Sequence, residues 1–419
     1  MPPIPPPVVL STTGSGRATA YQESPKIITF QGRTHVAWLD TPPEGFRIKV
    51  RTLDRARGRW SEAWTIGEAV DNHGGPALTV DRAGYLHVVY YSHHHPFRYH
   101  RSVRPNDASA WLPMEQFGAD LTYPTLLCGS DGTLILSARR SYDDRPWELE
   151  LWTRPPDGPW TRQGPILRSQ RLNYSQYAAS MVWGADHRKI HLSFRLYEQP
   201  SSDSPPVSFT AVGSLVSPDA GRTWTRLDGT PVELPATVDK ADIIVRTQSA
   251  EGRTLDSGAM ALSPDGVPFI GYCLRMADSS EAYLATPRPG GGWRHVNLNR
   301  FLPAEWRNGA LSMFGGVTFN GAGQPVVIVP VMNLTERYQG WSEPSTELMR
   351  FDSTDGGRTF TARLVDEPDP TEPRWLPNLE RPTGFNELPA APGLIYTSGG
   401  SGAGLGDVLR NKVYWRVLD

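Results

Sequence analysis

One pattern recurs seven times along the 419 residues: a turn rich in Asp, Gly and Asn, then an alternating or apolar strand. The units are FQGRTHVAWLD (30–40), DRAGYLHVVYY (81–91), GSDGTLILSAR (129–139), GADHRKIHLSF (184–194), SPDGVPFIGYC (263–273), NGAGQPVVIVP (320–330) and LPAAPGLIYTS (388–398). Repetition at roughly fifty- to eighty-residue intervals is the signature of stacked supersecondary units that bury their faces only against one another. Six of the seven reach an aromatic after a third strand: Trp60, Trp111, Trp160, Trp224, Trp293 and Phe360. Two of the turns, SPDAGRTW (217–224) and STDGGRTF (353–360), fit the Asp-box pattern S-x-D-x-G-x-T-W/F. There the Asp bonds turn backbone, a Gly takes positive φ and the aromatic packs between sheets.

The seventh unit lacks an outer strand before the chain ends at KVYWRVLD (412–419), while VVLST (8–12) is a strand without a unit. Pairing the two closes a ring and removes exposed edges. The expectation is an all-β, single-domain protein over 1–419, a seven-bladed β-propeller of four-stranded antiparallel blades closed by the N-terminal strand. A six-bladed ring with one irregular insertion is the alternative. Forty Gly and 39 Pro, spread along the chain, suit many short strands and tight turns.

A formal net charge of −2 without blocks of like charge favours neither nucleic acid nor an anionic membrane. Cys128 and Cys273 are far apart and in no metal spacing, so both are expected as buried thiols. The start MPPIPPPVVLSTTG has no basic region followed by an apolar run. As written the chain is expected in the cytoplasm, or secreted if a signal was removed. A closed ring needs no partner for its edges, which sets the expectation of a monomer.

In such a ring, residues just before a blade's first strand and just after its second converge on one mouth of the central channel. This rule brings His73 together with His93, His94 and His95. It adds Tyr123 and Arg139 or Arg140 from the third blade, Tyr177 and Arg195 from the fourth, Asp256 and Arg275 from the fifth, and Asn333 from the sixth. Tyr338 and Trp341, in the long loop 332–346, are of the type that stacks on sugar rings. His87, His100, His187 and His191 read as strand or turn residues with structural roles.

The stretch DNHGGPALTVDRAGYLHVVYYSHHHPFRYHRS (71–102) resembles the signature region of the BNR-4 repeat family. That family contains seven-bladed propeller polysaccharide lyases, among them ulvan lyases of families 24 and 25 and enzymes acting at rhamnose–glucuronate linkages. The resemblance extends through YPTLLCGSDG (123–132) and YAASMVWGADHRKIHLSFR (177–195), and elsewhere rests on repeat rhythm. It implies β-elimination at a 4-linked uronate of an acidic oligo- or polysaccharide. His73 and either His93 or His94 would position or share protons, Tyr177 or Tyr174 would be the base, and Arg195 the group that neutralises the uronate. An arginine suits that task because its fork stays charged and binds a carboxylate in bidentate fashion.

Three other readings remain open. Asp71, His73, His93 and His95 include metal-ligand types in no strong zinc spacing, so no cofactor is expected, with room for a structural or site-bound divalent ion. A hydrolase acting on terminal rhamnose linked to glucuronate would normally need paired carboxylates, and the mouth offers only Asp256. A glycan-binding ring without catalysis would keep the aromatic groove and dispense with the His, Tyr and Arg set.

Overall fold

The structure, a computed structural model, describes residues 6–91, 93–202, 206–333 and 342–419. About half of the chain, 51%, is strand and 3% helix, so the all-β expectation holds. Among the described residues, the strands form five antiparallel sheets of nine, eight, six, five and five strands. Among the described residues, seven strands touch one another in chain order: Ile27–Phe30, Ala77–Val80, the end of Glu115–Cys128, Ser175–Trp183, Ala261–Leu262, Gly316–Phe319 and Arg374–Leu379.

The two ends of the chain meet in the nine-stranded sheet. Val8–Gly14 lies antiparallel to Asn411–Val417, with Val8 opposite Trp415 and Gly14 opposite Asn411. The same strand touches Arg33–Asp40 through Gly14 and Asp40. Backbone donors that two edge strands would expose are thereby paired.

Alternation along each strand feeds the cores between sheets. In Ser175–Trp183, Tyr177, Ala179, Met181 and Trp183 enter a core with Leu149, Leu151 and Trp224, while Gln176 and Ala178 face the other way. Period-two geometry makes this an either-or choice for each side chain. Both Asp boxes hold their hairpins as their residues dictate. Asp219 accepts from the Thr223 amide (2.7 Å) and hydroxyl (2.7 Å), Gly221 has φ 93°, and Trp224 is 2% exposed. Asp355 does the same with Thr359, at 3.0 and 2.8 Å. Cys128 and Cys273 are free and buried. No helix among the described residues is long and apolar enough to cross a membrane.

Candidate active site

Strands Ala77–Val80 and Leu86–Tyr90 pair antiparallel, Ala77 opposite Val89, so the residues before the first and after the second meet at one sheet end. Asp71 is the hub there. Its Oδ1 accepts from the His73 backbone amide (2.7 Å) and lies 3.2 Å from His73 Nδ1, and its Oδ2 lies 2.5 Å from His93 Nδ1. The two imidazoles stack with centroids 3.8 Å apart. Burial opposes ionisation of Asp71, but the hydrogen bonds from His73 and His93 outweigh it and hold the carboxyl well below the usual carboxylate range. An ionised carboxylate only accepts, so both Nδ1 atoms carry their protons.

The remaining nitrogens are then assigned by their partners. Arg17 donates to His73 Nε2, which occupies that lone pair. His94 Nε2 accepts from Arg139 Nη2 (3.1 Å), so its Nδ1–H donates to Ser141 Oγ (2.5 Å). Burial, with the cationic neighbours Arg17 for His73 and Arg139 for His94, lowers the pKa of both rings to about 4. His93 is different. Its Nδ1–H is fixed on Asp71, and its Nε2 has no hydrogen-bond partner among the described residues. It is an imidazole whose Nε2 is left open among the described residues, oriented by a carboxylate as in catalytic triads.

Arg139 lies beneath His94. It is 1% exposed, donates to Thr122 Oγ1 (3.0 Å) as well as His94, and its Cζ sits 4.6 Å from the Tyr123 ring, 4.9 Å from Trp147 and 5.8 Å from Tyr174. Its Nε and Nη1 have no hydrogen-bond partner, and no carboxylate pairs with it among the described residues. A buried cation stabilised only by ring faces and two neutral acceptors is poorly compensated, so the site favours an anion at its surface.

From Tyr123 the cluster continues across two further sheets. Gln176 Nε2 donates to the Tyr123 hydroxyl (3.3 Å), and Gln176 Oε1 accepts from Arg195. Arg195 also donates to the Leu255 carbonyl (2.7 Å) and lies 3.9 Å from Asp256, which lies 3.5 Å from Arg275. On the other side, Arg17 donates to the Tyr21 hydroxyl (2.6 Å), and the Tyr21 ring packs 4.4 Å from Tyr123. Three of these residues hold positive φ: His93 (118°), His94 (59°) and Tyr123 (60°). Such conformations cost on the order of 1–3 kcal/mol each and gather where packing enforces a functional geometry.

The structure thus brings together His73, His93, His94, Tyr123, Arg139, Arg195 and Arg275. It does not bring Tyr177 there. That side chain is fully buried in the core between sheets, its hydroxyl bonded to Ser169 (2.8 Å) and the Trp147 carbonyl (3.3 Å), because the phase of its strand turns it inward. Among the described residues, the phenols at the cluster include Tyr123, Tyr174 and Tyr21. Arg140 turns to the outer side, against Glu150 (3.4 Å) and the Tyr142 ring (5.0 Å). Asn333 is held through its backbone amide by Ser345 (3.0 Å). Tyr338 and Trp341 lie outside the described residues. Arg17, Tyr21, Ser141 and Gln176 are members that the strand rule did not reach.

Ligand-type atoms of Asp71, His73 and His93 lie within 4.8 Å of one another, whereas His95 leans on Tyr91, centroids 5.8 Å apart. An ion held there would displace both N–H protons from Asp71 and sit beside the Arg17 guanidinium, so the donor set fits hydrogen bonding better than coordination.

The chain is 20% identical over 295 residues to an ulvan lyase of Nonlabens ulvanivorans, covering 61% of each. It is 23% identical over 159 residues to an ulvan lyase of Pseudoalteromonas sp. (strain PLSV), covering 32% of each. It therefore spans less than two thirds of the length of either relative. Among solved structures, it is similar to a family 25 ulvan lyase bound to GlcA(1-4)Rha3S, with TM-score 0.73, 16% identity and coverage of 98% and 95%. The polysaccharide lyase Uly1 is also similar, with TM-score 0.62, 12% identity and 98% coverage of both chains. These likenesses establish a shared fold. The model of the BNR repeat-containing family matches residues 33–301, well over half of the sequence, and the chain belongs to that family.

Proposed function

We propose that this protein is a polysaccharide lyase that cleaves a 4-linked uronate, as in a glucuronate–rhamnose chain, by β-elimination. The observation that carries the reading is the open Nε2 of His93, fixed by Asp71 at the edge of a buried and uncompensated Arg139. A uronate carboxylate against His94 and Tyr174 would be the counter-ion of that guanidinium. Its charge acidifies the C5 proton. His93 Nε2 takes this proton, the C4=C5 double bond forms, the C4–O4 bond breaks, and Tyr123 protonates the departing O4. The positioned base and acid are each worth about 10²–10⁴-fold. Asp71 stays ionised and stabilises the imidazolium that results, and no water is consumed.

The likeness to ulvan lyases supports this reading, and so does the state of the carboxylates. Asp71 is committed to two imidazoles and Asp256 to two arginines, which leaves no free pair among the described residues for hydrolysis of a glycoside at this cluster. We read the sheets as seven four-stranded blades in one ring, Val8–Gly14 completing the last, with the cluster at one mouth of its channel. In this proposal the protein acts as a monomer on an acidic polysaccharide, needs no metal, and keeps its activity after washing with chelator.

The test is ultraviolet absorbance of the unsaturated uronate during incubation with glucuronate–rhamnose polysaccharide. The expected result is a rise that is lost in His93→Ala. New reducing ends without the absorbance would overturn the proposal.

A further inference from the structure

A groove of about 550 Å³ lies at the opposite end of the sheets from this cluster. In strand Pro268–Arg275, Arg275 is at the end that meets Asp256, while the turn Ser263–Val267 at the other end lines the groove. Eight strand residues separate the two ends by roughly 25 Å.

Three arginines border this groove: Arg288 and Arg294 from one hairpin, and Arg358 from the second Asp box. Arg294 is braced, its Nε donating to Thr286 Oγ1 (3.1 Å) and Nη2 to the Gly356 carbonyl (3.2 Å). Arg288 and Arg358 are exposed and form no ion pair among the described residues. Burial, Arg358 and Arg288 lower the pKa of Arg294 against the opposing charge of Asp355. Of the two carboxylates present, Asp355 is turned into its own hairpin by Thr359 and Ser353, which leaves Asp265. Beside the cations, Pro264, Val267 and Pro289 form an exposed apolar rim above Phe269 and Phe319.

Three cations gathered with fewer counter-charges raise the energy of the free protein and are relieved by a polyanion. The apolar rim suits the C–H faces of sugar rings, and arginine forks suit carboxylate or sulfate groups. We propose that this groove is a second, non-catalytic binding site for an anionic polysaccharide, held chiefly by Arg288 and Arg358. Its occupant is the polymer class named above, so in that respect it rests on the lyase reading. Such a site would keep the protein on a long chain between cleavage events.

The test uses Arg288→Ser with Arg358→Ser, leaving the braced Arg294 in place. Binding to sulfated glucuronate–rhamnose polysaccharide is followed by affinity electrophoresis and calorimetry in a His93→Ala background, where cleavage cannot interfere. The two serines are expected to weaken polymer binding about tenfold and to flatten its salt dependence. In the His93 protein, they should leave turnover of a short oligosaccharide within twofold. Asp265→Asn, which removes a competing carboxylate, should tighten polymer binding.

Equal polymer binding with and without the two arginines overturns the proposal, as does loss of short-substrate turnover in parallel with polymer binding. Arginine-dependent binding by a protein that forms no unsaturated product would sink the lyase and leave the groove standing. Elimination with no arginine dependence would do the reverse.

Discussion

Replacing Arg139 with glutamine removes the positive charge on which the proposed elimination depends. The carboxylate of a bound uronate gains up to one further unit of negative charge as C5 gives up its proton, so the guanidinium stabilises the transition state more than the ground state. At 4–6 Å and an effective dielectric constant of about 20, one unit of charge interacts with another by about 3–4 kcal/mol. That corresponds to a fall in kcat of about 10²–10³-fold, with a rise in KM from the charge already present in the substrate. Arg195→Gln should cost less than about tenfold in kcat, because its guanidinium is already engaged by Leu255, Gln176 and Asp256.

The assay is the initial rate of unsaturated product on a defined oligosaccharide, with the melting temperature as control. The Arg139→Gln substitution gives up bonds to Thr122 and His94 but also relieves an unpaired buried cation, so the melting temperature should change little. If the glutamine variant does not fold, Arg139→Lys keeps the charge and should retain more activity than an Arg139→Met variant. The reasoning is refuted if Arg139→Gln stays within threefold of the parent while Arg195→Gln loses hundredfold.

Asp71→Asn should lower kcat by about 10²–10⁴-fold with the fold intact, because an amide cannot fix both Nδ1–H groups or stabilise the imidazolium; pH-independent rate loss with unchanged melting temperature is the readout. Tyr123→Phe should abolish most turnover, whereas Tyr177→Phe should cost about 1 kcal/mol of stability for the lost Ser169 bond and leave kcat unchanged, read by denaturant unfolding and kinetics. NMR titration should place His73 and His94 midpoints near 4. Because the unfolded chain takes up the His73 proton near pH 6.5 and the folded chain only near 4, His73 makes stability fall as pH is lowered across that window, by up to about 1.4 kcal/mol per pH unit. Buried Glu23 and Glu380, with pKa values pushed up to about 7, act in the opposite sense. The effect is therefore read as a difference from His73→Gln, which would show no window difference if the imidazole titrated normally.

The repeat rhythm made the sheets legible, since each turn-plus-strand unit combines local turn chemistry with period-two burial. The histidine pair was legible for the same reason: strand ends that pair antiparallel must meet. The phase of Ser175–Trp183 was not. Both faces of that strand carry small or apolar residues, so nothing in the string says that Tyr177 turns inward and Gln176 toward the site. Tyr123 is raised into the cluster by a register shift between Thr122 and Thr125 and by its own positive φ, neither of which a strand pattern announces. Arg17 and Tyr21 belong to a buried lead-in segment ahead of Ile27–Phe30 that carries no motif. Arg139 and Arg140 were indistinguishable by position, and alternation sends one to the aromatic cage and the other to Glu150.

Mass spectrometry of the products formed in water enriched with oxygen-18 tests the elimination most directly. The account predicts that neither fragment acquires the heavy oxygen during bond cleavage and that the non-reducing-end uronate is one water lighter than a hydrolysis product. One heavy oxygen incorporated per cleavage, with both fragments fully hydrated, would contradict it.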